Sequence, residues 1–168
     1  MRHSFLAGLV PIVLAAAASA APVSSPLQPL VASDLPVQCR DVAVVPASAT
    51  VNDPDFAAHI SAASCLAESA MSALALRPDA ASLGALDTAT APSRAILEDV
   101  IQHGGDHWKA VAETTKADLL NAMAVRIRIV ANDPTDHAGI EPELARWQAA
   151  ADRATVEAAR LSRGQPIG

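Results

Sequence analysis

The chain has 168 residues, a formal net charge of −6, no tyrosine, two phenylalanines and two tryptophans. That length suits one domain able to bury its own core, and the acidic balance, with lysine and arginine scattered, excludes the concentrated positive charge that nucleic acid or an anionic lipid surface would require. Alanine dominates while the β-forming aromatics are nearly absent, which predicts an all-α fold.

Residues 1–20 carry the marks of an export signal. Arg2 and His3 precede the uncharged run FLAGLVPIVLAAAA (Phe5 to Ala18), and ASA (Ala18 to Ala20) supplies the small residues that a signal peptidase accepts. The run is shorter than the roughly 20 apolar residues of a spanning helix. Cleavage is expected after Ala20, giving a soluble chain in the periplasm or outside the cell, with no stable membrane insertion once the signal is removed.

Residues 21–52 form a proline-rich leader. Pro22, Pro26, Pro29, Pro36 and Pro46 forbid a long helix. The first part reads as a mobile tail and VQCRDVAVV (Val37 to Val45) as a short extended segment. Cys39 and Cys65 are the only two cysteines. In an oxidising compartment such a pair reads as a disulfide, which would tie the leader onto the first helix with an entropic gain of roughly 3.5 kcal/mol.

The helical domain is expected over 53–163, with 164–168 a frayed tail. Asp53, Pro54 and Asp55 open the first helix, whose apolar face is Phe56, Ile60, Ala63, Ala67, Ala70 and Leu74, and Pro78 closes it. Residues 78–91 are ambiguous. Asp79 can cap a short helix through Leu86, which Gly84 weakens, and a second helix is expected at about 92–103 with Ile96, Leu97, Val100 and Ile101 as its face. The nonapeptide SALALRPDA (Ser72 to Ala80) resembles the close of a tetratricopeptide unit, but the positions one 34-residue period on, His107 and Ala112, do not restart it, so no repeat array is expected. The longest helix is placed at about 106–131 with Trp108, Val111, Ala112, Thr115, Leu119, Ala122, Met123 and Val130 as its stripe. The last helix runs from Pro142 to about Ser162, where Leu144, Trp147, Ala151, Ala154, Ala158 and Leu161 form a heptad seam. Short connections make these about four helices an up-and-down bundle.

His103 and His107 in VIQHGGDHW are four apart, the spacing at which two imidazoles on one helix face hold a metal, with His59 as a third candidate. Gly104 and Gly105 interrupt that turn. The competing and preferred reading is a corner, in which a left-handed glycine ends one helix, Asp106 caps the next, and Trp108 drives it into the core. In NDPTDHAGIEPE, Asn132, Asp133, Asp136, His137 and Glu141 offer metal-binding atoms without the acid spacing of a calcium loop. Arg94, Glu98 and Asp99 read as a solvated face, and Glu68 as an exposed acid on the first helix. Arg126 lies on the apolar stripe of its helix; either it is an interior anchor for an acid such as Glu68 or Asp118, or, the preferred reading, its stem covers the core while its head reaches water. Trp108 and Trp147 read as core pegs; exposed, they would mark a ligand or partner surface.

No G-x-S-x-G or CxxC pattern is present, and no catalytic set assembles. The sequence therefore predicts an exported, soluble, non-enzymatic helical domain that acts through its surface, as an adaptor, envelope-associated or binding module, without a cofactor. Its partner would be another envelope or secreted protein and not nucleic acid. The alternative is a small-ligand or metal-binding helical bundle.

Overall fold

A computed structural model describes residues 27–31, 33, 35–41, 53–131 and 139–164. Residues 1–20, where an export signal is expected, the first residues of the leader, residues 42–52, most of the NDPTDHAG loop and the last four residues lie outside that set. The described residues are helical, with four long helices: α1 (Asp53–Ala73), α2 (Ala80–His103), α3 (Asp106–Val130) and α4 (Glu141–Arg163).

The helices run up and down. Glu98 of α2 meets Lys116 of α3 near their connection, and Thr90 meets Met123 far from it, as antiparallel neighbours must. The most extensive contact is α3 with α4, followed by α1 with α2 and α2 with α3. α1 also touches α3, whereas α4 is held almost wholly through α3. The result is a group of three mutually touching helices with a fourth added on the far side of α3.

The strongest contact follows from a pattern that the expected α3 stripe overlooked. α3 buries Ala112, Leu119 and Met123 as anticipated, but Ala122 is exposed, and a second face, Ala110, Glu113, Ala117, Leu120, Ala124 and Ile127, is buried as well. Those six positions step three and four apart, as do the six buried positions of α4, Leu144, Trp147, Ala151, Ala154, Ala158 and Leu161. The Gln148–Asn121 hydrogen bond of 3.3 Å fixes their register. The two seams bring buried large side chains, Leu120, Ile127, Leu144, Trp147 and Leu161, together with buried alanines at 110, 117, 124, 151, 154 and 158. Large side chains thus meet small ones, the arrangement that fills an interface without voids.

α2 is one helix where two short ones were expected. Asp79 caps it, accepting from the Ser82 amide at 2.7 Å, and the helix continues through both Gly84 and Pro92. An internal proline removes an N–H and presses its ring on the preceding turn, at a cost of about 3 kcal/mol. Side-chain hydrogen bonds brace the turn before Pro92. Thr90 Oγ1 donates to the Leu86 and Asp87 carbonyls at 2.9 and 3.3 Å, and Arg94 Nη2 donates to the Asp87 carbonyl at 2.7 Å. Arg94 also lies 2.9 Å from the Asp87 carboxylate, an ionic contact. α1, conversely, stops at Ala73, five residues before Pro78, and its stripe ends on Met71 rather than Ala70. Leu74 and Leu76 follow as partly buried residues packed on the core.

The corner between α2 and α3 is made by Gly104 and Gly105, but not by a left-handed turn. Gly104 has φ −70° and ψ 157°, and Gly105 φ −70° and ψ 172°. Gly104 is required for room: a Cβ there would lie 2.8 Å from the Val100 carbonyl oxygen and 2.9 Å from Trp108 Cβ. Gly105, facing open space, is the residue before α3, so Asp106 is not the cap but the first residue of the helix, where its charge complements the helix dipole.

The leader is docked rather than loose where it is described. Leu27 enters the main core, and Leu35, Cys39 and Ala62 form a second small cluster with Leu30, Cys65 and Leu66. The Cys39–Cys65 disulfide is formed, with Cα atoms 5.7 Å apart. Val37–Cys39 is a single 3-10 turn where the start of an extended segment was expected, and residues 42–45 of that segment lie outside the described residues.

If the seam packs large against small, Ala124→Leu should destabilise the protein by about 1–3 kcal/mol through overpacking, while the same change at exposed Ala149 should stay within about 0.5 kcal/mol. Denaturant unfolding of the two variants tests this.

Candidate surface groove

The parallel pair α1 and α3 sits over α2 and leaves a groove of about 290 Å³ between them. α2 supplies its floor through Ser93 and Leu97, both buried. α1 contributes Ser64, Ala67, Glu68 and Met71, and α3 contributes Thr115, Asp118, Leu119 and Ala122. The groove exists because alanine and serine occupy positions where larger residues would close it. Its floor is apolar, and its two charged residues are both carboxylates on exposed positions.

The polar atoms of the groove are committed in one direction. Ser64 Oγ donates to the Ile60 carbonyl at 3.1 Å, Ser93 Oγ to the Ala63 carbonyl at 2.5 Å, and Thr115 Oγ1 to the Val111 carbonyl at 2.9 Å. Each hydroxyl proton is therefore spent on the backbone, and only lone pairs face outward. Among the described residues Glu68 and Asp118 have no ion-pair partner. Glu68 stands exposed as expected, and Asp118, weighed in the sequence only as an acid for Arg126, stands exposed on the ridge of α3.

The sequence-derived candidates lie elsewhere and apart. His59, although buried, packs against the leader: Nδ1 is 2.7 Å from the Asp55 carbonyl oxygen and Nε2 is 2.8 Å from that of Gln28. His103 Nδ1 lies 2.9 Å from the Asp99 carboxylate, whose other oxygen accepts from the Gln28 amide at 2.9 Å. His107 is exposed, its ring edge against Trp108 at 4.8 Å between centroids. His103 and His107 thus belong to different helices, and among the described residues no three His, Cys, Asp or Glu are placed to share a metal ion. Of the five candidates in the acidic loop, Glu141 is described, in the first turn of α4; Asn132, Asp133, Asp136 and His137 lie outside the described residues. Trp147 is a core residue, and Trp108 is half-buried, stacked on Phe56 at 6.2 Å between centroids. Neither tryptophan lines the groove.

Arg94, Glu98 and Asp99 do not form a solvated face. Each ties α2 to something: Arg94 to Asp87 across the proline, Glu98 to Lys116 of α3 at 2.5 Å, and Asp99 to His103 and the leader. Arg126 is half-buried with no ion partner among the described residues, as a snorkelling side chain would be.

Glu113 is the acid that sequence reasoning missed. A heptad reading of α3 from Ala110 would have placed it on the seam. Burial pushes its carboxyl above the usual carboxylate range, Lys116 at 3.8 Å pulls it down, and the negative charges of Glu98 and Glu157 push it further up. Among the described residues no helix is long and apolar enough to cross a membrane. Comparison with family models, with curated proteins and with solved structures finds no match for the chain.

The raised Glu113 value fixes the sign of a stability effect. The folded protein disfavours the carboxylate, so the stability present with a protonated Glu113, below the unfolded value of about 4.5, is lost as pH rises through the folded value. Glu113→Gln should therefore raise the melting temperature near neutral pH and leave it almost unchanged in acid below that window. Thermal melts of the two proteins across the range check it.

Proposed function

We propose that this chain is an exported, non-enzymatic helical module that acts through its surface, and that the α1–α3 groove is the acting surface. The observation that carries the reading is the groove itself. It has apolar lining residues Ala67, Met71, Leu97 and Leu119 beneath two exposed carboxylates without ion-pair partners among the described residues, a form suited to receiving an external segment rather than to turning over a substrate. Its hydroxyls give their protons to carbonyls of the helices, and none has a histidine beside it to act as base. The export signal read at residues 1–20 and the formed disulfide support an oxidising compartment outside the cytoplasm.

A photo-reactive amino acid placed at Ala122, on the groove rim, tests this in cells that export the chain, with Ala149 on the outer face of α4 as the control. A discrete adduct with another envelope or secreted protein is expected from position 122 and not from position 149, on a chain whose mass shows that it begins near Ala21. Equal labelling from both positions, no adduct from position 122, or a chain that keeps residues 1–20 in the cytoplasm would overturn the reading.

A further inference from the structure

The groove has a neighbour of the same chemistry. On the other side of the α3 ridge, between α3 and α4, Thr114, Ala117, Asp118, Thr155, Ala158, Ala159 and Ser162 line a second concavity. Its three hydroxyls also donate to backbone carbonyls four residues back, each at 2.9 Å: Thr114 to Ala110, Thr155 to Ala151 and Ser162 to Ala158. Asp118 belongs to both linings. Across the two concavities, therefore, all six hydroxyls have spent their protons, the charged groups are Glu68 and Asp118, and no lysine, arginine, histidine, asparagine, glutamine or tryptophan contributes a donor. Both linings offer acceptors, and the arginines of this helix, Arg126 and Arg128, lie two turns or more beyond Asp118, beside Val125 and Ile129.

A face of acceptors is matched by a partner rich in donors. Ammonium and guanidinium groups are the side chains that donate and do not accept, and they carry the charge opposite to Glu68 and Asp118. The face is also apolar in one direction. Asp118, Ala122, Val125 and Ile129 step four, three and four residues along one side of α3, and Val125 and Ile129 are 52% and 68% exposed. At 1.5 Å per residue this strip is about 16 Å long, three turns of a helix. We propose that the groove and this strip dock a lysine- or arginine-bearing amphipathic segment of a partner protein, its cations on Glu68 and Asp118 and its apolar side chains over Met71, Ala122, Val125 and Ile129. The proposal rests on the reading of the groove as the acting surface and adds the chemistry of what it receives.

The probe is an amphipathic peptide of about fourteen residues, enough to follow the strip as a helix, with lysines on one face and leucines on the other, titrated into the ¹⁵N-labelled, oxidised full chain. Amide shifts are expected to concentrate in residues 64–71 and 115–129. A peptide with glutamate in place of lysine should leave those amides unmoved, and affinity for the lysine peptide should fall with salt. Glu68→Gln/Asp118→Asn removes two exposed acids that hold nothing else together, so it should keep the native spectrum and weaken binding about fivefold, the scale of two exposed ion pairs. Shifts spread over the whole surface, unchanged affinity in the double variant, or equal binding of the glutamate peptide would overturn the proposal. So would spermine at matched charge moving the same amides with the same affinity, which would make the ligand a free polyamine. If the peptide fails while position 122 still gives its specific adduct, the partner chemistry is wrong and the surface reading stands.

Discussion

The missing side chain of Gly104 is the constraint on which the rest of the packing depends. The chain must leave α2 and enter α3 within two residues, and in that space the Val100 carbonyl and Trp108 Cβ approach so closely that a Cβ would lie within 3 Å of both. The Gly104 amide still completes the last turn of α2, donating to Val100 at 2.8 Å. Trp108 can then sit directly under the corner and stack on Phe56 of α1. Three helices meet at this end of the bundle, and the leader closes over it, with the Gln28 backbone held between Asp99 and His59.

From that corner the alanine content dictates the remainder. Helices faced with small residues approach closely, so a few large side chains suffice to lock them, and the fully buried Trp147 is the largest of them. The same small residues leave shallow grooves wherever no fifth helix covers them. Serine and threonine in such a helix satisfy their hydroxyl protons on the turn before, so the exposed grooves of this molecule expose lone pairs and carboxylates. An acceptor-rich face is thus a by-product of how an alanine-, serine- and threonine-rich helix satisfies itself, and Glu68 and Asp118 give it a sign.

The fold was largely legible because its information is periodic. The heptad of α4 is readable from Leu144 to Leu161, and all six positions are buried; the cysteine pair could bond only to itself within the chain. What failed did so for local reasons. Pro92 reads as a helix start, yet α2 runs through it, its preceding turn braced by side-chain bonds from Thr90 and Arg94. Gly104 reads as a left-handed stop, yet it serves by lacking volume. Arg94, Glu98 and Asp99 look solvated because their partners, Asp87 and Lys116 among them, are near only after folding. The groove was invisible for a related reason: Ser64, Glu68, Ser93, Thr115 and Asp118 are ordinary surface residue types, and only the placement of α1 beside α3 over α2 gathers them.

Paired thermal melts of Gly104→Ala and Gly105→Ala test the corner directly. Gly104→Ala should cost about 1–3 kcal/mol, because rigid backbone must shift to admit the methyl group, with a melting temperature lower by about 2–10 °C. Gly105→Ala should lie close to the parent protein, because the methyl group meets nothing within 4 Å and the lower chain entropy of the unfolded state offsets alanine's poorer helix-capping. Equal losses at the two glycines, or a Gly104→Ala protein that melts like the parent, would contradict it.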